Sequence, residues 1–324
     1  MANELLGAIL AAGHGTRMAP FGKDIPKPIL PIGNKPLIEY QIETMKRLGI
    51  SEIVILIGHL GYMITKVLGD GSRFGVKLHY VEQKSMLGIA HAVGYLEPLL
   101  DRPFLLMLGD IYFVEDDLND IVRKHREADS SCVLAAKIEH DPNALKKNFS
   151  ILVDDNGRVS RVIEKPRYAT NKLKGVGLYL FDPVIFDAIR RTPRTAMRNE
   201  YELTEAIQVH IDDGHKVCVS TCINDDINLT TPSDFLRCNL LVAQANGLNS
   251  LAAESAHINT GAMLDNAIIG PGATILNPIT IRRSVILENA VVETDQDLDG
   301  VVVSPQSMVD VRSFFTSWPA GLML

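Results

Sequence analysis

The chain has 324 residues, 46% of them hydrophobic, and a formal net charge of −7 from 32 Lys and Arg against 39 Asp and Glu. That length and apolar content predict one large packed domain plus a smaller one, while an acidic balance without a Lys/Arg run excludes nucleic acid as a partner, so a phosphate ligand must be met by local donors. Cys132, Cys218, Cys222 and Cys238 form no CxxC pair and are expected to be reduced structural thiols; no leader follows Met1 and no apolar run has the length of a membrane span, which predicts a cytoplasmic protein without membrane partners.

Leu5 to Ala11 is a continuous apolar run closed by Gly13, the pattern of a strand buried on both faces of a parallel sheet. A helix is predicted from Pro36, with Leu37, Tyr40, Gln41, Met45 and Leu48 on or near one face and Gly49 past its end. Further along, Ile53 to Ile57, Leu78 to Val81 and Phe104 to Leu108 are predicted strands, and Gly88 to Leu100 and Leu118 to Glu127 helices. Cys132 to Ala136 is strand-like, and Ile151 to Val153 with Val159 to Ile163 flank Asp155-Asn156-Gly157 as a hairpin. Strand at Gly175 to Phe181, helix at Tyr201 to Ile211, strand at Val217 to Thr221 and a helix from Pro232 to Ala245 complete a β/α alternation. This predicts a mostly parallel sheet with ligands at the carboxyl ends of its strands.

Composition shifts near Asn246-Gly247, dividing the chain into predicted domains of 1–245 and 246–324. In the second, Met263, Ile269, Ile275, Ile281 and Leu287 recur every six residues, preceded two positions earlier by Ala267, Ala273, Ile279 and Val285. Hexads of this kind predict a parallel β-helix of fewer than two full coils, each short face burying one aliphatic side chain. Its shortness, and the apolar end Phe314, Phe315, Trp318, Leu322 and Leu324, predict a homo-oligomer, with folding of the tail onto its own domain as the alternative.

The chemistry centres on Leu10-Ala11-Ala12-Gly13-His14-Gly15-Thr16-Arg17-Met18, followed by Pro26-Lys27-Pro28. Gly13 and Gly15 allow backbone N–H groups close to phosphate oxygens, and Arg17 and Lys27 supply countercharge. A dinucleotide fingerprint would need Gly at Met18, and a Walker A loop Lys-Ser/Thr after its last glycine, so neither fits. Asp110 follows an apolar strand, where its carboxylate suits a hard Mg²⁺ bound to triphosphate oxygens. Glu164 and Lys165 end a strand before Pro166, placing a cation and an acceptor side by side.

These motifs resemble the sugar-nucleotide pyrophosphorylases, the family of glucose-1-phosphate thymidylyltransferase and N-acetylglucosamine-1-phosphate uridylyltransferase, over about residues 5 to 245. The resemblance implies a Rossmann-like, mostly parallel α/β nucleotidyltransferase domain followed by a short left-handed parallel β-helix. It also implies transfer of a nucleotidyl group from dTTP or UTP to a sugar 1-phosphate, glucose 1-phosphate first among them, with Mg²⁺ as cofactor. Leu10, Ala11, Ala12, Gly13, Gly15, Thr16, Arg17, Gln83, Gly88 and Asp110 correspond to the nucleotide site. In it Gln83 pairs with a pyrimidine edge and Gly88 leaves room for the ring. Ser150, Glu164, Lys165 and Gly175 correspond to the sugar-phosphate site, and Arg17, Lys27, Asp110 and Lys165 to the catalytic set. Glu200-Tyr201-Glu202-Leu203-Thr204-Glu205 resembles a conformationally important helix start.

Within Asn224 to Pro232 a second metal ligand admits two alignments: counting back from Pro232 gives Asn228, and matching Asp-Ile gives Asp226. Asn228 is adopted. Ser150 stands where the thymidylyltransferase pattern has Gly, and Ile89 where it has Thr, which points to a sugar fit of its own. The nucleophile is already anionic, so the expected site neutralises and aligns two anions without a general base. A silent sugar-nucleotide-binding regulator is the alternative; joint retention of Arg17, Lys27, Asp110 and Lys165 favours the enzyme.

Overall fold

The protein is described by a computed structural model covering residues 5–13, 15, 18–21, 25–168, 171–196 and 198–317. His14, Thr16 and Arg17, and Trp318, Leu322 and Leu324 of the apolar end, lie outside the described residues. The chain divides into two compact units, one of Met1–Gly13 with Tyr40–Asp226, the other of His14–Glu39 with Ile227–Leu324.

In the first unit, strands β1 (Leu6–Ala11), β2 (Glu52–Ile57), β3 (Lys77–Glu82) and β4 (Phe104–Leu108) are followed by β5 (Ile111–Glu115), β6 (Cys132–Ile138), β7 (Phe149–Val153), β8 (Val159–Glu164), β9 (Leu173–Phe181) and β10 (Val217–Ser220). The large sheet runs β8-β7-β9-β4-β1-β2-β3, with β6 joined to β9 and β10 to β6. β3, β2, β1 and β4 are parallel, and β9 is antiparallel to β4, β6 and β7. The fold is therefore α/β with a parallel-rich sheet. Ile9, Val54, Ile55 and Phe104 through Met107 are almost wholly buried, as an apolar run covered on both faces requires. Each such side chain contributes about 1.5–3 kcal/mol of burial.

Several boundaries differ from the sequence expectations. The helix expected to open at Pro36 spans Leu37–Arg47 (α1), because Lys35–Pro36 pairs instead with Pro31–Ile32 as a short ribbon. An additional helix, Gly61–Leu68 (α2), follows β2. The helix expected over Gly88 to Leu100 is the six-residue α3 (Ile89–Gly94), with a separate 3-10 turn over Glu97–Leu99, since Pro98 denies the helix a backbone donor. Asn119–Glu127 (α4), Pro142–Lys147 (α5), Ile185–Arg191 (α6) and Leu203–Asp212 (α7) follow. Neither α5 nor α6 was expected; each is under two and a half turns, too short for a clear apolar period. The expected hairpin forms, its turn closed by Asp154, whose Oδ1 accepts from Asn156 N and Arg158 N at 2.9 Å, and by Gly157 at φ +74°. All four cysteines are free and buried.

In the second unit, α8 (Pro232–Ala245) starts with a capping box between Thr231 and Asp234. The segment before α1 is tied to it: Gly33 N donates to Asn239 Oδ1 at 2.8 Å, and Asn239 Nδ2 returns a bond to Pro31 O. Beyond α8 the strands stack in parallel with a constant step. Leu251 pairs with Ile268, Ile268 with Val285 and Val285 with Val302, and His257, Thr274 and Val291 follow the same rule on another face.

That step is 17 residues rather than three hexads. The aliphatic column therefore runs Ile258, Leu264, Ile269, Ile275, Ile281, Ile286, Val292, Leu298 and Val303, with one interval in three shortened to five. Ile286 takes the core place that a strict period gives to Leu287, and Met263 is 64% exposed rather than buried. The residue is lost at a corner where Asn266, Arg283 and Gly300, each 17 apart, all adopt positive φ. Paired strands from Leu251 to Val303 also make three turns, where fewer than two were expected.

Candidate active site

β1 lies between β2 and β4, so the chain builds outward on one side of β1 and then crosses to the other, creating a switch point at the carboxyl ends of β1 and β4. Leu10 and Leu108 are register partners there, and Gly109 N donates to Leu10 O at 2.9 Å. A Cβ on Gly109 would stand 2.7 Å from Leu10 O, and one on Gly58 2.7 Å from Ala12 O. Two glycines thus let the ends of β2 and β4 close on Leu10, Ala11 and Ala12. Gly58 was not singled out in the sequence, because only the tertiary approach of β2 reveals its role. Beside Gly13, by contrast, no described atom lies within 4 Å of a built Cβ. Asp110, the next residue after Gly109, is half-buried at this same junction.

Gln83 continues β3, its N–H donating to Ile57 O at 2.8 Å, and its side chain is buried, with Nε2 3.3 Å from His91 Nδ1. Gly88 has φ 117° and ψ 171°, and a Cβ there would meet Tyr201 O at 2.4 Å and Tyr201 N at 2.6 Å. The chain's own backbone demands this glycine. Tyr201 N donates to Leu87 O and Tyr201 O accepts from Ala90 N, so the segment before α7 clamps the start of α3. The ring of His91 stacks on Tyr201 at 6.0 Å and meets Tyr95 edge-on at 5.0 Å. Burial, and then the Arg194 guanidinium, push the His91 imidazole below its ordinary pKa.

The two alignments for a second metal ligand acquire different surroundings. Asp226 is buried, and Lys174 Nζ lies 2.7 and 2.8 Å from its two carboxylate oxygens, with Lys137 Nζ at 3.4 Å. Its carboxylate is committed to ammonium groups. Lys137 in turn reaches Asp225 at 2.6 Å; burial works against its charge, but Asp225 and Asp226 outweigh that and raise its pKa. Asn228 ends strand β11 (Ile223–Asn228), and its carbonyl accepts from Thr230 N at 2.8 Å.

The expected sugar-phosphate residues share one edge of the sheet: Glu164 pairs with Phe149, Phe149 with Gly175, and Ser150 with both Ile163 and Lys174. A Cβ on Gly175 would fall within 2 Å of the Phe149 ring, so glycine here admits an aromatic side chain of the protein itself. Ser150 is buried and donates to Asn171 Oδ1 at 2.8 Å. Lys165 holds a positive φ of 44°, an uncommon conformation for a lysine, with Nζ 3.7 Å from Glu164 Oε1. Arg198 Nη1 lies 3.7 Å from the same oxygen and Thr204 Oγ1 donates to Glu164 Oε2 at 3.4 Å. Burial nonetheless pushes the Glu164 carboxyl up, against the pull of Arg198.

Of the remaining expected residues, Gly15 has φ +64° and Lys27 is buried in the 3-10 turn Lys27–Ile29, both in the second unit. Among the described residues no group of three or more His, Cys, Asp or Glu gathers as a metal cluster, and no helix is long and apolar enough to cross a membrane.

Residues 6–237 match the family model described as nucleotidyl transferase. The chain is 35% identical over 245 residues to a low-salt glycan biosynthesis nucleotidyltransferase, Agl11, of Haloferax volcanii, covering 75% of this chain and 67% of that one. To a glucose-1-phosphate thymidylyltransferase of Streptomyces griseus it is 32% identical over 324 residues, covering 94% and 88% respectively. A Bacillus anthracis structure titled "Putative Glucose-1-Phosphate Thymidylyltransferase", solved with sucrose, superposes with a TM-score of 0.65 at 26% identity, over 73% of this chain and 94% of that one. The chain therefore belongs to the nucleotidyl transferase family and is a sugar-1-phosphate nucleotidyltransferase.

Proposed function

We propose that the protein transfers a uridylyl or thymidylyl group from UTP or dTTP to glucose 1-phosphate, releasing pyrophosphate. The observation that carries this reading is the junction of Leu10 to Gly13 with Gly109-Asp110 at the switch point. It brings the strand end that carries Gly13 beside the Gly109-Asp110 turn, and backbone donors next to a carboxylate suit a metal-bound triphosphate. In the reaction the sugar-phosphate oxygen attacks the α-phosphorus in line, and the bond to the bridging oxygen of the β-phosphate breaks. The nucleophile carries its negative charge from the outset, so no residue needs to take a proton. Gly13 offers backbone donors to phosphate oxygens, Arg17 balances the departing pyrophosphate and Lys27 the phosphates during transfer. Glu164 accepts from sugar hydroxyls while Lys165 meets the sugar phosphate.

The donors suit Mg²⁺, which favours oxygen ligands and retains waters and phosphate oxygens in its shell. Asp110 would hold it, with Asn228 as the second protein oxygen, since the carboxylate of Asp226 is occupied by Lys174. Bound there, the metal supplies charge neutralisation at the α-phosphate. Pyrophosphate release from a panel of triphosphates and sugar 1-phosphates tests the assignment. Turnover should be greatest with UTP or dTTP and glucose 1-phosphate, and Asp110→Asn should lower it roughly 100-fold or more. Turnover with purine triphosphates alone, or an unaffected Asp110→Asn, would refute the reading.

A further inference from the structure

His91 is not among the motif residues, yet it is the described side chain bonded to the amide of Gln83. We infer that His91 sets which way the Gln83 amide faces and thereby makes the site read uracil or thymine rather than cytosine. The inference rests on the assignment of Gln83 to the base.

The chemistry follows from donors and acceptors. Gln83 Nε2 carries two hydrogens, and the one directed at His91 Nδ1, 3.3 Å away, requires a lone pair on that nitrogen. His91 is then neutral with its proton on Nε2. Its surroundings agree: the ring is packed against Tyr201 and Tyr95, beside Arg194, whose guanidinium lies 5.1 Å from the Tyr201 ring, and next to a cleft of about 520 Å³ lined also by Leu87, Ile189 and Arg190. Apolar contact and neighbouring cations both oppose a charged imidazole.

With Nε2 held by His91, Gln83 presents one remaining N–H and the oxygen Oε1. That pair complements the O4 and N3–H of uracil or thymine. Cytosine carries a donor at the 4-position and an acceptor at N3, the reverse pattern, and it would be matched only if the amide turned over. A donor-only group at position 91 would force that turn, because it must be met by Oε1. His91 therefore acts through Gln83 as a positioning residue, and Tyr201, which stacks on its ring and clamps Gly88, fixes where that ring sits.

The test compares His91→Lys, His91→Phe, His91→Gln and Gln83→Ala in the full-length enzyme, with UTP and CTP as nucleotide substrates and a fixed saturating sugar 1-phosphate. His91→Lys should raise KM for UTP roughly tenfold, leave kcat within about twofold, and lower the UTP-to-CTP ratio of kcat/KM by at least roughly tenfold. His91→Gln, which can offer an acceptor oxygen to Gln83, should restore both. His91→Phe, which leaves the amide without a partner, should fall between them and serves if the lysine variant does not fold. An unchanged UTP-to-CTP ratio in both His91→Phe and His91→Lys, while Gln83→Ala loses UTP affinity, overturns the inference alone. If Gln83→Ala itself keeps the KM and the ratio, the assignment of Gln83 to the base falls, and the role of His91 with it.

Discussion

Replacing Asp226 with Asn separates a structural carboxylate from a metal ligand. The side chains of Asp226 and Lys174 are 1% and 6% exposed, and both carboxylate oxygens lie within 2.8 Å of the ammonium. Asp226→Asn keeps the shape but leaves Lys174 facing a neutral amide in a buried site, a change that costs about 3–5 kcal/mol when one member of a buried pair is removed. Lys137 keeps Asp225 at 2.6 Å, so the lower end, about 3 kcal/mol, is expected. For a unit of this size that corresponds to a fall in Tm of roughly 10 °C, and thermal unfolding followed by circular dichroism measures it. The double variant Asp226→Leu/Lys174→Met removes both charges and should recover most of the loss, because replacing a whole buried pair by apolar groups is often neutral. The Mg²⁺ concentration for half-maximal activity should stay within about twofold of wild type in Asp226→Asn. A wild-type Tm combined with a tenfold higher Mg²⁺ requirement would refute the reasoning and return Asp226 to the metal.

His210 is fully buried, bonds to Ser131 Oγ at 2.7 Å and stacks on His215 at 4.2 Å; burial, then His215, lowers its pKa to about 4. The unfolded chain takes up this proton first as pH falls, so the stabilisation is complete above about 6.5 and declines by about 3 kcal/mol by pH 4. Urea unfolding of His210→Phe between pH 7 and 4 should lack that component, and parallel pH dependences in wild type and variant would count against it. Gly88→Ala drives a Cβ into the Tyr201 backbone, which cannot yield as a flexible side chain could. It should raise KM for the nucleotide and lower Tm by several degrees; unchanged values of both would show that the clamp is dispensable. In the coil, Ile281→Ala should cost about 2–5 kcal/mol and Met263→Ser less than about 0.5 kcal/mol. Equal losses in denaturant unfolding would restore a strict six-residue period.

Much of the fold was legible in sequence because buried parallel strands have a pattern of their own. Phe104 to Leu108 and its following Gly-Asp were placed correctly, since a run covered on both faces cannot alternate. Short elements were not: Pro142–Lys147 and Ile185–Arg191 hold too few turns to show a period. The hexads revealed a coil, but the five-residue interval was hidden because Ile286 and Leu287 are both aliphatic neighbours. The position of Gly109-Asp110 directly after a buried strand was readable in the sequence. His91 was not, for a histidine in a short helix carries no signal until Gln83 is placed beside it.

By itself the sequence determined the local pattern: which apolar runs are buried strands, which carboxylate follows one of them, and where a short aliphatic repeat begins. Only the tertiary structure decided how shared groups are divided. It placed His14–Glu39, contiguous with β1 in sequence, in the same compact unit as α8 and the coil. It also gave Asp226 to Lys174, whose ammonium reaches both carboxylate oxygens. A side chain's identity states what it can bond, but a carboxylate has only two oxygens, and the neighbours that claim them are brought there by strands distant in sequence.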